Sequence, residues 1–596
     1  MDQESLLHSI RDDSDDTEFY MPTPAGYQRG GTKYVVVLGT VMSGLGKGIF
    51  SSSLAKCLQD GGLRVAPIKL EGYLNIDSGT LNPYRHGEVF VLDDGTECDM
   101  DLGTYERVLD MDLTRMNFST SGQIYRRVLD RERTGGYLGR DVQMIPHVTG
   151  EVKNQLRELA VASQADVVFV EIGGTVGDVE NAYYIEAMRQ LAFEEGENSV
   201  CFVALTYVLE PSILGEQKSK AAQLGIRRLM ECGIQPHIIA CRAEHPVTKQ
   251  VREKIALFSN VPMERVFSMH DCESVYLIPE MLRGAGYDRA VIERLALTDR
   301  VDEQAERTAR AVWADYVSKL RSASREISIG ITGKYTAVRD AYASIIKALE
   351  HAGVHLSCKV QLRWIDTSEV TQADVARKLK DVDGIIVPAA FGTRGAEGKI
   401  VCLKHARTSG LPCLGICYGF QMAVIEFARN ACGMDDANST EIDNECRYPV
   451  ISLLPEQKEI EGLGGTMRLG GQAIHVKEGT LAFRMFGPRT RMRFRHRYEV
   501  DPRYLPQLEE GGMVFSGKSP RAEIMNILEL PAAVHPYFVA TQAHPELTSR
   551  PLSPQPFFLG LVHAAMRRAY ADYDEPLVFT SARRAEAETT NTEPVA

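Results

Sequence analysis

Hydrophobic residues along the chain gather in short β-branched runs, which alternate with longer stretches whose apolar residues recur at helical spacing. A continuous apolar run of about four to eight residues is typical of a strand buried on both faces. In the first half of the chain, strands are predicted at 35–37, 64–70, 165–172, 199–208 and 237–241. Strands that alternate with helices predict an α/β domain with a doubly wound sheet.

A second alternation of the same kind begins at Ile327 and predicts strands at 383–388 and 412–416. The charged helical stretch before it predicts a linker helix. The fold class is therefore α/β with two doubly wound domains. The predicted boundaries are a disordered acidic extension at 1–30, a first domain at 31–298, the linker helix at 299–325, a second domain at 326–575 and a flexible tail at 576–596.

Composition narrows the class of protein. A chain of 596 residues is too long for one hydrophobic core, which agrees with two domains. Its net charge of −13 argues against nucleic acid or a membrane surface as a partner held by general electrostatics. The sequence contains no C-x-x-C pair, no recognisable signal peptide and no membrane-spanning run, so a cytoplasmic protein with reduced thiols is expected.

The first candidate site directly follows the strand predicted at 35–37. A glycine-rich turn leads there into a predicted helix, and its residues are Ser43, Gly44, Leu45, Gly46, Lys47 and Gly48. Bare N–H groups at a helix N-terminus cradle phosphate, and a lysine adds positive charge. The match to the P-loop pattern is imperfect, because Val41 replaces its first glycine and Gly48 replaces its Ser or Thr. The alternative interpretation is a glycine-rich strand–helix turn with an exposed lysine.

Charged residues elsewhere in the first domain fit a magnesium–phosphate site. Glu171 lies at the carboxyl end of a predicted strand, and Asp101 offers a second carboxylate. Lys218 and Lys220 have the chemistry to bind phosphate. Taken singly, each acid also fits a helix cap or the surface, and each lysine fits a solvated helix face.

The second domain contains a candidate nucleophile. Cys417 follows the strand predicted at 412–416 and is flanked by glycines, as in a nucleophile elbow, where a helix N-terminus stabilises a thiolate. Far downstream, His544 and Glu546 supply a base and a carboxylate to orient it. Together they form a complete set for acyl transfer through a thioester. Alone, a cysteine or a histidine would more often belong to a core.

These motifs resemble those of known families. The blocks at 415–421 and 544–546 resemble the class I glutamine amidotransferases. The blocks at 43–48, 86–91, 99–107, 171–178, 437–441, 464–470 and 495–500 resemble the CTP synthase family. The similarity runs in one order from about residue 33 to about residue 570. It implies a P-loop amidoligase (synthase) domain followed by a class I glutamine amidotransferase domain.

The resemblance also implies a reaction: ATP phosphorylates O4 of UTP, and ammonia from glutamine displaces the phosphate to give CTP. By position it implies that ATP is bound by Ser43, Gly44, Leu45, Gly46, Lys47, Gly48 and Asp101. It implies that the pyrimidine nucleotide is bound by Ser43, Lys69, Asp178, Val179, Glu180, Lys218, Lys220 and Gln223. Asp101 and Glu171 would hold Mg²⁺.

In the second domain the resemblance implies that Cys417, His544 and Glu546 hydrolyse glutamine. It implies that glutamine is bound by Ala390, Tyr418, Gln421, Glu441 and Arg497, and that His86 lies on the path of ammonia. Members of the family are homotetramers, often form filaments and use GTP as an activator. The expected partners are therefore UTP or a related pyrimidine nucleotide, ATP, and glutamine or ammonia.

Several positions depart from the family pattern. Around the pyrimidine site the departures are Glu71, Gly72, Ala221, Ala222 and Leu224, and Ala543 replaces an aromatic residue beside His544. Ala389 and Ala390 replace two glycines in a loop that supplies an oxyanion-hole N–H. If that loop needs backbone angles that only glycine adopts easily, glutamine use is weakened and glycine at both positions restores it.

Three alternatives remain open from the sequence. The first is a diverged amidoligase that acts on a different or modified pyrimidine nucleotide, or that relies on free ammonia. The second, a corrinoid-ring amidase, leaves the nucleotide-loop blocks unexplained. The third is a non-catalytic filament or regulatory role, against which the intact residues argue: Lys47, Glu171, Cys417, His544 and Glu546.

Overall fold

A computed structural model describes residues 22–211, 213, 215–336, 338–453, 467–577 and 579. The chain divides into two compact units. The first unit is Met1–Thr80 with Asp101–Val317, and the second unit is Leu81–Met100 with Ser318–Ala596. Residues 1–21 of the predicted extension, most of the predicted tail and positions 464–466 of one family block lie outside the described residues.

The strands and helices of the described residues are numbered along the chain. The strands are β1 (Lys33–Gly39), β2 (Val65–Glu71), β3 (Val89–Val91), β4 (Glu97–Asp99), β5 (Phe118–Thr120), β6 (Val167–Ile172), β7 (Val200–Tyr207), β8 (Ile238–Ala243), β9 (Val266–His270), β10 (Arg325–Gly333), β11 (Cys358–Asp366), β12 (Gly384–Val387), β13 (Cys413–Ile416), β14 (Ala437–Ser439), β15 (Tyr448–Ser452), β16 (Arg468–Val476), β17 (Arg489–His496), β18 (Glu499–Val500), β19 (Val514–Lys518), β20 (Met525–Glu529) and β21 (Phe538–Thr541).

The α-helices are α1 (Lys47–Asp60), α2 (Pro83–His86), α3 (Met100–Leu109), α4 (Ser121–Arg133), α5 (Thr149–Ala162), α6 (Ala182–Glu195), α7 (Lys220–Glu231), α8 (Lys249–Ser259), α9 (Ile278–Ala285), α10 (Tyr287–Arg294), α11 (Glu303–Ser322), α12 (Ala343–His355), α13 (Val375–Lys378), α14 (Ala396–Ser409), α15 (Tyr418–Asn430), α16 (Leu481–Phe486), α17 (Leu505–Glu510) and α18 (Pro556–Ala569). None of the described helices combines the length and the apolar composition needed to cross a membrane.

The first unit is built on a seven-stranded sheet in the order β5-β2-β6-β1-β7-β8-β9. All its pairings are parallel, and β1 is central, between β6 and β7. The strands are almost completely buried, as expected for parallel strands covered by crossover helices. The strands predicted in this half of the chain are present, and the doubly wound fold class is confirmed.

The second unit contains a nine-stranded sheet in the order β11-β10-β12-β13-β21-β20-β19-β16-β17. Five neighbouring strands of this sheet run parallel: β11, β10, β12, β13 and β21. The strands β20, β19, β16 and β17 extend the sheet with antiparallel pairings. No sequence pattern predicted this antiparallel extension. Its outer strands carry many arginines and are only partly buried, so they lack the continuous apolar runs that mark the central strands.

The segment Leu81–Met100 belongs to the second unit, although its sequence position had placed it in the first domain. It contains α2 and the antiparallel hairpin of β3 and β4. Asp93 at the hairpin tip pairs with Arg491 at 2.7 Å, and Glu97 pairs with Arg495 at 2.6 Å. Sequence order cannot show which core a hairpin packs against, because the partners of these acids lie about 400 positions away.

Residues 22–30, part of the predicted disordered extension, contact the first unit. The Tyr27 and Tyr34 hydroxyls lie 2.7 Å apart, and the Gly30 N–H donates to Glu195 Oε2 at 2.9 Å. The guanidinium of Arg157, which pairs with Glu195, lies 5.5 Å from the centre of the Tyr27 ring. This buried charge pair gives the segment a defined place that its turn-rich composition did not indicate.

Candidate active sites

The glycine-rich turn lies at the carboxyl end of the central strand β1, where doubly wound folds bind ligands. Gly44 and Gly46 have φ of 74° and 78°, which glycine adopts without strain. Gly46 directly precedes α1, so the unpaired N–H groups of the first turn of α1 border the loop. Lys47 Nζ donates to the carbonyl of Gly174, in the loop after β6, at 2.8 Å. The turn thus has the geometry of a phosphate cradle.

Val41 occupies the position of the first P-loop glycine and also has a positive φ, of 74°. A β-branched residue in this region is a genuine outlier, with a cost of roughly 1–2 kcal/mol. The Val41 side chain packs against α7, because a Cβ added at Gly225 would lie 3.2 Å from Val41 Cγ2. Position 41 therefore has the left-handed conformation expected of the P-loop glycine, and its valine side chain packs against a helix.

A cluster of buried charges lies beside the turn. Lys69 Nζ lies 2.6 Å from Asp101 Oδ2, 2.6 Å from Glu171 Oε1 and 3.4 Å from Glu71 Oε1. Burial raises the pKa of Glu171; it would also raise that of Asp101, but the Lys69 ammonium lowers the Asp101 pKa below its usual value. Glycine at position 48 allows this approach, because a Cβ there would lie 2.5 Å from Asp101 Oδ1.

The residues assigned by resemblance to the pyrimidine nucleotide lie on two further segments of the first unit. Lys220 begins α7 and Gln223 is its fourth residue, two residues before Gly225, which contacts Thr40 and Val41 of the glycine-rich turn. Lys218 precedes α7 and pairs with Glu216.

The second segment is the loop after β6, which holds Asp178, Val179 and Glu180. Asp178 Oδ2 accepts from the Thr175 N–H at 2.7 Å, and Val179 is 86% exposed. A Cβ at Gly72 would lie 3.1 Å from Glu180 Cβ. The absence of a side chain at position 72 therefore lets the two loops approach each other, which accounts physically for glycine at this departure from the family pattern.

In the second unit, Cys417 lies at a sharp turn between β13 and α15, with φ 52° and ψ −99°. Such backbone strain in a non-glycine residue is typical of functional sites. The Cys417 N–H donates to the Thr541 carbonyl at 2.7 Å. A Cβ at Gly419 would lie 2.0 Å from the Val387 carbonyl oxygen, so only glycine allows α15 to begin this close to β12. The predicted elbow geometry is present.

His544 and Glu546 follow β21, the neighbour of β13 in the sheet. His544 Nδ1 lies 2.7 Å from Glu546 Oε1, and its Nε2 has no hydrogen-bond partner among the described residues. Burial lowers the pKa of His544, but the negative charges of Glu546 and Cys417 outweigh burial and raise this pKa well above its usual range. Gln542 Nε2 lies 3.5 Å from Cys417 Sγ. The set fits a cysteine nucleophile with a histidine base oriented by a carboxylate.

The loop at 388–392 follows β12, the other neighbour of β13. Gly392 has φ 73°, but neither Ala389 nor Ala390 lies in the left-handed region. Alanine therefore adopts the loop conformation without the strain that motivated the expectation of weak glutamine use. That expectation loses its physical basis in the structure.

Side chains assigned by resemblance to glutamine surround the same loop. The Tyr418 hydroxyl donates to the Gly392 carbonyl at 2.8 Å, and the Gly392 N–H donates to Glu441 Oε1 at 2.7 Å. Burial raises the pKa of Glu441, whereas its bond to Gly392 and the positive charge of Arg497 act in the opposite direction. Gln421 Nε2 donates to Gln542 Oε1 at 3.2 Å, and Ala390 is buried in the core below the loop.

His86 ends α2 in the second unit and is exposed. Three further side chains contact this site and had no role predicted from sequence. Lys334 and Lys399 bind carbonyls of the loop at 388–392, and Gln542 lies beside the Cys417 thiol. Gln542 lies two residues before His544, in a block already recognised, so a signal was available. No sequence signal marked Lys334 or Lys399, because a lysine is expected to lie in solvent.

Comparisons with known proteins agree with this arrangement. The family model for the CTP synthase N-terminus matches residues 33–297, and the model for class I glutamine amidotransferases matches residues 337–564. The chain is 48% identical to the CTP synthase of Thermococcus gammatolerans over 541 residues, which are 90% of this chain and 99% of that protein. It is also 48% identical to the CTP synthase of Pyrococcus furiosus over 536 residues, 90% of this chain and 98% of that protein.

Among solved structures, the glutaminase domain of Trypanosoma brucei CTPS with bound acivicin is 31% identical, with a TM-score of 0.39, and covers 43% of this chain and 98% of that chain. The identity to whole CTP synthases extends across both units described above. The chain therefore belongs to the CTP synthase family.

Proposed function

We propose that the protein is a glutamine-dependent CTP synthase that converts UTP to CTP with ATP. One observation supports this above the others: a single chain combines a phosphate cradle, with Lys69 bridging Asp101 and Glu171, and a separate Cys417–His544–Glu546 set. Identity of 48% to CTP synthases over 90% of the chain supports the same conclusion. The alternative that depends on free ammonia is not favoured.

In the first unit, the N–H groups at the start of α1 and the charge of Lys47 bind the ATP phosphates in this proposal. The γ-phosphoryl group passes to O4 of UTP, whose triphosphate is held by Lys218 and Lys220. Ammonia then adds to C4, the C4–O4 bond breaks, and inorganic phosphate leaves as the 4-amino group forms. Positioning and charge neutralisation are what a protein contributes to phosphoryl transfer, and the lysines supply both.

The residues around Lys69 fit a magnesium ion. Asp101 and Glu171 already flank a cation, the Lys69 ammonium, at 2.6 Å each. Mg²⁺ is usually bound by one or two carboxylates together with substrate phosphates. Within the described part of the chain, no group of three or more His, Cys, Asp and Glu side chains forms a metal site by itself. When bound with nucleotide, the ion would neutralise phosphate charge.

In the second unit, the Cys417 thiolate attacks the side-chain amide carbon of glutamine in this proposal. Charge develops on the amide oxygen, and N–H groups of the loop at 388–392 and of Tyr418 stabilise it. His544 donates a proton to the departing nitrogen, so ammonia leaves and a thioester remains. A water molecule, deprotonated by His544, then hydrolyses the thioester to glutamate and restores the thiol.

A steady-state assay tests this function directly. Purified protein with UTP, ATP and Mg²⁺ is given either ammonium chloride or glutamine, and cytosine formation is followed by absorbance. CTP formation with both nitrogen donors supports the proposal. No product from UTP, with product from dUTP or a 5-substituted UTP, would assign a different acceptor, and no product from any of them would overturn the proposal.

The pyrimidine site gives a quantitative prediction. Replacing Lys220 with alanine removes a charged contact to phosphate worth about 1.5–3 kcal/mol, so KM for UTP rises roughly 10- to 100-fold. Lys254→Ala, at an exposed position on α8, is the matched control and leaves KM unchanged. An unchanged KM for UTP in Lys220→Ala would remove Lys220 from the site.

The loop at 388–392 gives a prediction opposite to the one drawn from sequence. Because Ala389 and Ala390 have ordinary φ values, the double variant Ala389→Gly, Ala390→Gly gains nothing from relieved strain. We expect its glutamine-dependent rate to stay equal or to fall, since glycine loosens the loop. A clear increase in that rate, with the ammonia-dependent rate constant, would show that alanine does impair the loop.

The remaining expectations from the family belong to the proposal. They are a homotetramer that is able to form filaments, activation by GTP, ammonia transfer past His86 and a cytoplasmic location. Twelve free cysteines are consistent with a reducing compartment. Mass photometry with and without ATP and UTP, together with glutamine-dependent rates measured across GTP concentrations, tests the assembly and the activation.

A further inference from the structure

A lysine is completely buried beneath the loop at 388–392. Lys399, on the first turn of α14, is 0% exposed, and burial lowers its pKa to about 7. Its Nζ donates to two backbone carbonyls, those of Thr332 and Pro388, at 3.0 Å each. Within the described residues no carboxylate pairs with it. Burying a lysine side chain costs free energy. The two hydrogen bonds to Thr332 and Pro388 are the interactions that compensate for this cost.

The bond to Pro388 has a consequence for the next residue. In a trans peptide the C=O and the following N–H point in opposite directions. Lys399 holds the Pro388 carbonyl towards α14, so the N–H of Ala389 points away from α14. Ala389 itself packs against the core cluster that contains Cys417. The orientation of this peptide is therefore set by a side chain rather than by the conformational freedom of residue 389.

The far end of the loop is held in the same way. Lys334 Nζ donates to the carbonyl of Phe391, and the N–H of the same peptide, that of Gly392, donates to Glu441 Oε1. From the first fixed peptide to the second, the N–H groups of Ala389, Ala390 and Phe391 have no acceptor within the described part of the chain. The Pro388 and Phe391 carbonyls are therefore bound by lysines, whereas the three N–H groups are available to bind a ligand.

We propose that Lys399 and Lys334 are positioning residues of the thiol site: they hold the Pro388 and Phe391 carbonyls so that the N–H groups between them are aimed at the oxyanion formed at Cys417. The inference rests on the proposed glutamine hydrolysis and deepens it. It also explains why alanine at 389 and 390 is compatible with the site, because two lysines determine peptide orientation that would otherwise depend on the loop's own backbone preferences.

The test compares Lys399→Met with Lys404→Met, a variant of a partly exposed lysine on the same helix. Loss of a single oxyanion donor costs about 10²–10³ in kcat, so a misaligned loop in Lys399→Met should lower kcat for glutamine hydrolysis by roughly 10- to 100-fold. KM for glutamine should change little, because the oxyanion is absent from bound glutamine. Lys404→Met should match the unmodified protein.

A second readout separates positioning from general damage. Iodoacetamide alkylates Cys417 by displacement, without an oxyanion, so its second-order rate should be equal in Lys399→Met and the unmodified protein. Equal loss of alkylation and hydrolysis would mean that the variant only disturbs the thiol, and unchanged hydrolysis would also overturn the inference. If Lys399→Met does not fold, Lys334→Met carries the same test. Absence of glutamine hydrolysis in the unmodified protein would instead overturn the proposed function.

Discussion

We expect Cys417→Ala to abolish glutamine-driven CTP synthesis and to leave ammonia-driven synthesis unchanged. The thiol lies on the elbow between β13 and α15, with Gln542 Nε2 at 3.5 Å from Sγ and the His544–Glu546 pair beside it. Alanine should keep the fold of the elbow but removes the thiol that forms the thioester in the proposed reaction. Since loss of the nucleophile removes most of the catalysis in comparable sites, the glutamine-dependent rate should fall by more than about 10³-fold.

The measurement follows CTP formation with saturating glutamine and, separately, with saturating ammonium chloride. Cys432→Ala, a partly exposed cysteine in the same unit, is the control and should retain both activities. Ammonia-driven synthesis depends on the phosphate cradle of the first unit and needs no thiolate. If both activities of a folded Cys417→Ala protein fell by the same factor, the assignment of the two chemistries to two units would fail.

We expect Lys47→Ala, in contrast, to stop CTP formation with either nitrogen donor. Lys47 is buried at the first position of α1, and its Nζ donates to the Gly174 carbonyl at 2.8 Å. Burial lowers the pKa of Lys47, and neighbouring Lys69 lowers it further. Phosphate binding would favour the charged form. An arginine finger on a transferred phosphoryl group is worth about 10³–10⁵ in kcat, and by analogy a loss of about 10³-fold is expected for Lys47→Ala.

Glutamine hydrolysis in the absence of nucleotide is the internal control, because it uses only the second unit and should persist in Lys47→Ala. Lys249→Ala, whose side chain is 78% exposed on α8, serves as the matched lysine variant. Thermal unfolding of both variants should resemble that of the unmodified protein. Unchanged ammonia-driven synthesis in Lys47→Ala at saturating ATP would remove the lysine from the ATP site.

Much of the fold was predictable because its signals are local. Continuous apolar runs marked the central strands of both sheets, and the glycines around Lys47 and Cys417 marked the two strand–helix turns. The boundary of the segment Leu81–Met100 and the antiparallel extension of the second sheet were not predictable. Both features depend on residues that are distant in sequence, such as the ion pair of Glu97 with Arg495. No local sequence pattern predicts such a pair.

The same division holds for the sites. The candidate chemistry could be predicted from sequence, because a cysteine, a histidine, a glutamate and a lysine at motif positions limit which bonds can form. The meaning of the departures from the family pattern depends on contacts that form only in the folded chain. Val41 has the positive φ of a glycine and packs against α7, whereas Ala389 and Ala390 need no such angle. Lys399 acquires a role only where folding removes it from water and leaves two carbonyls as its partners.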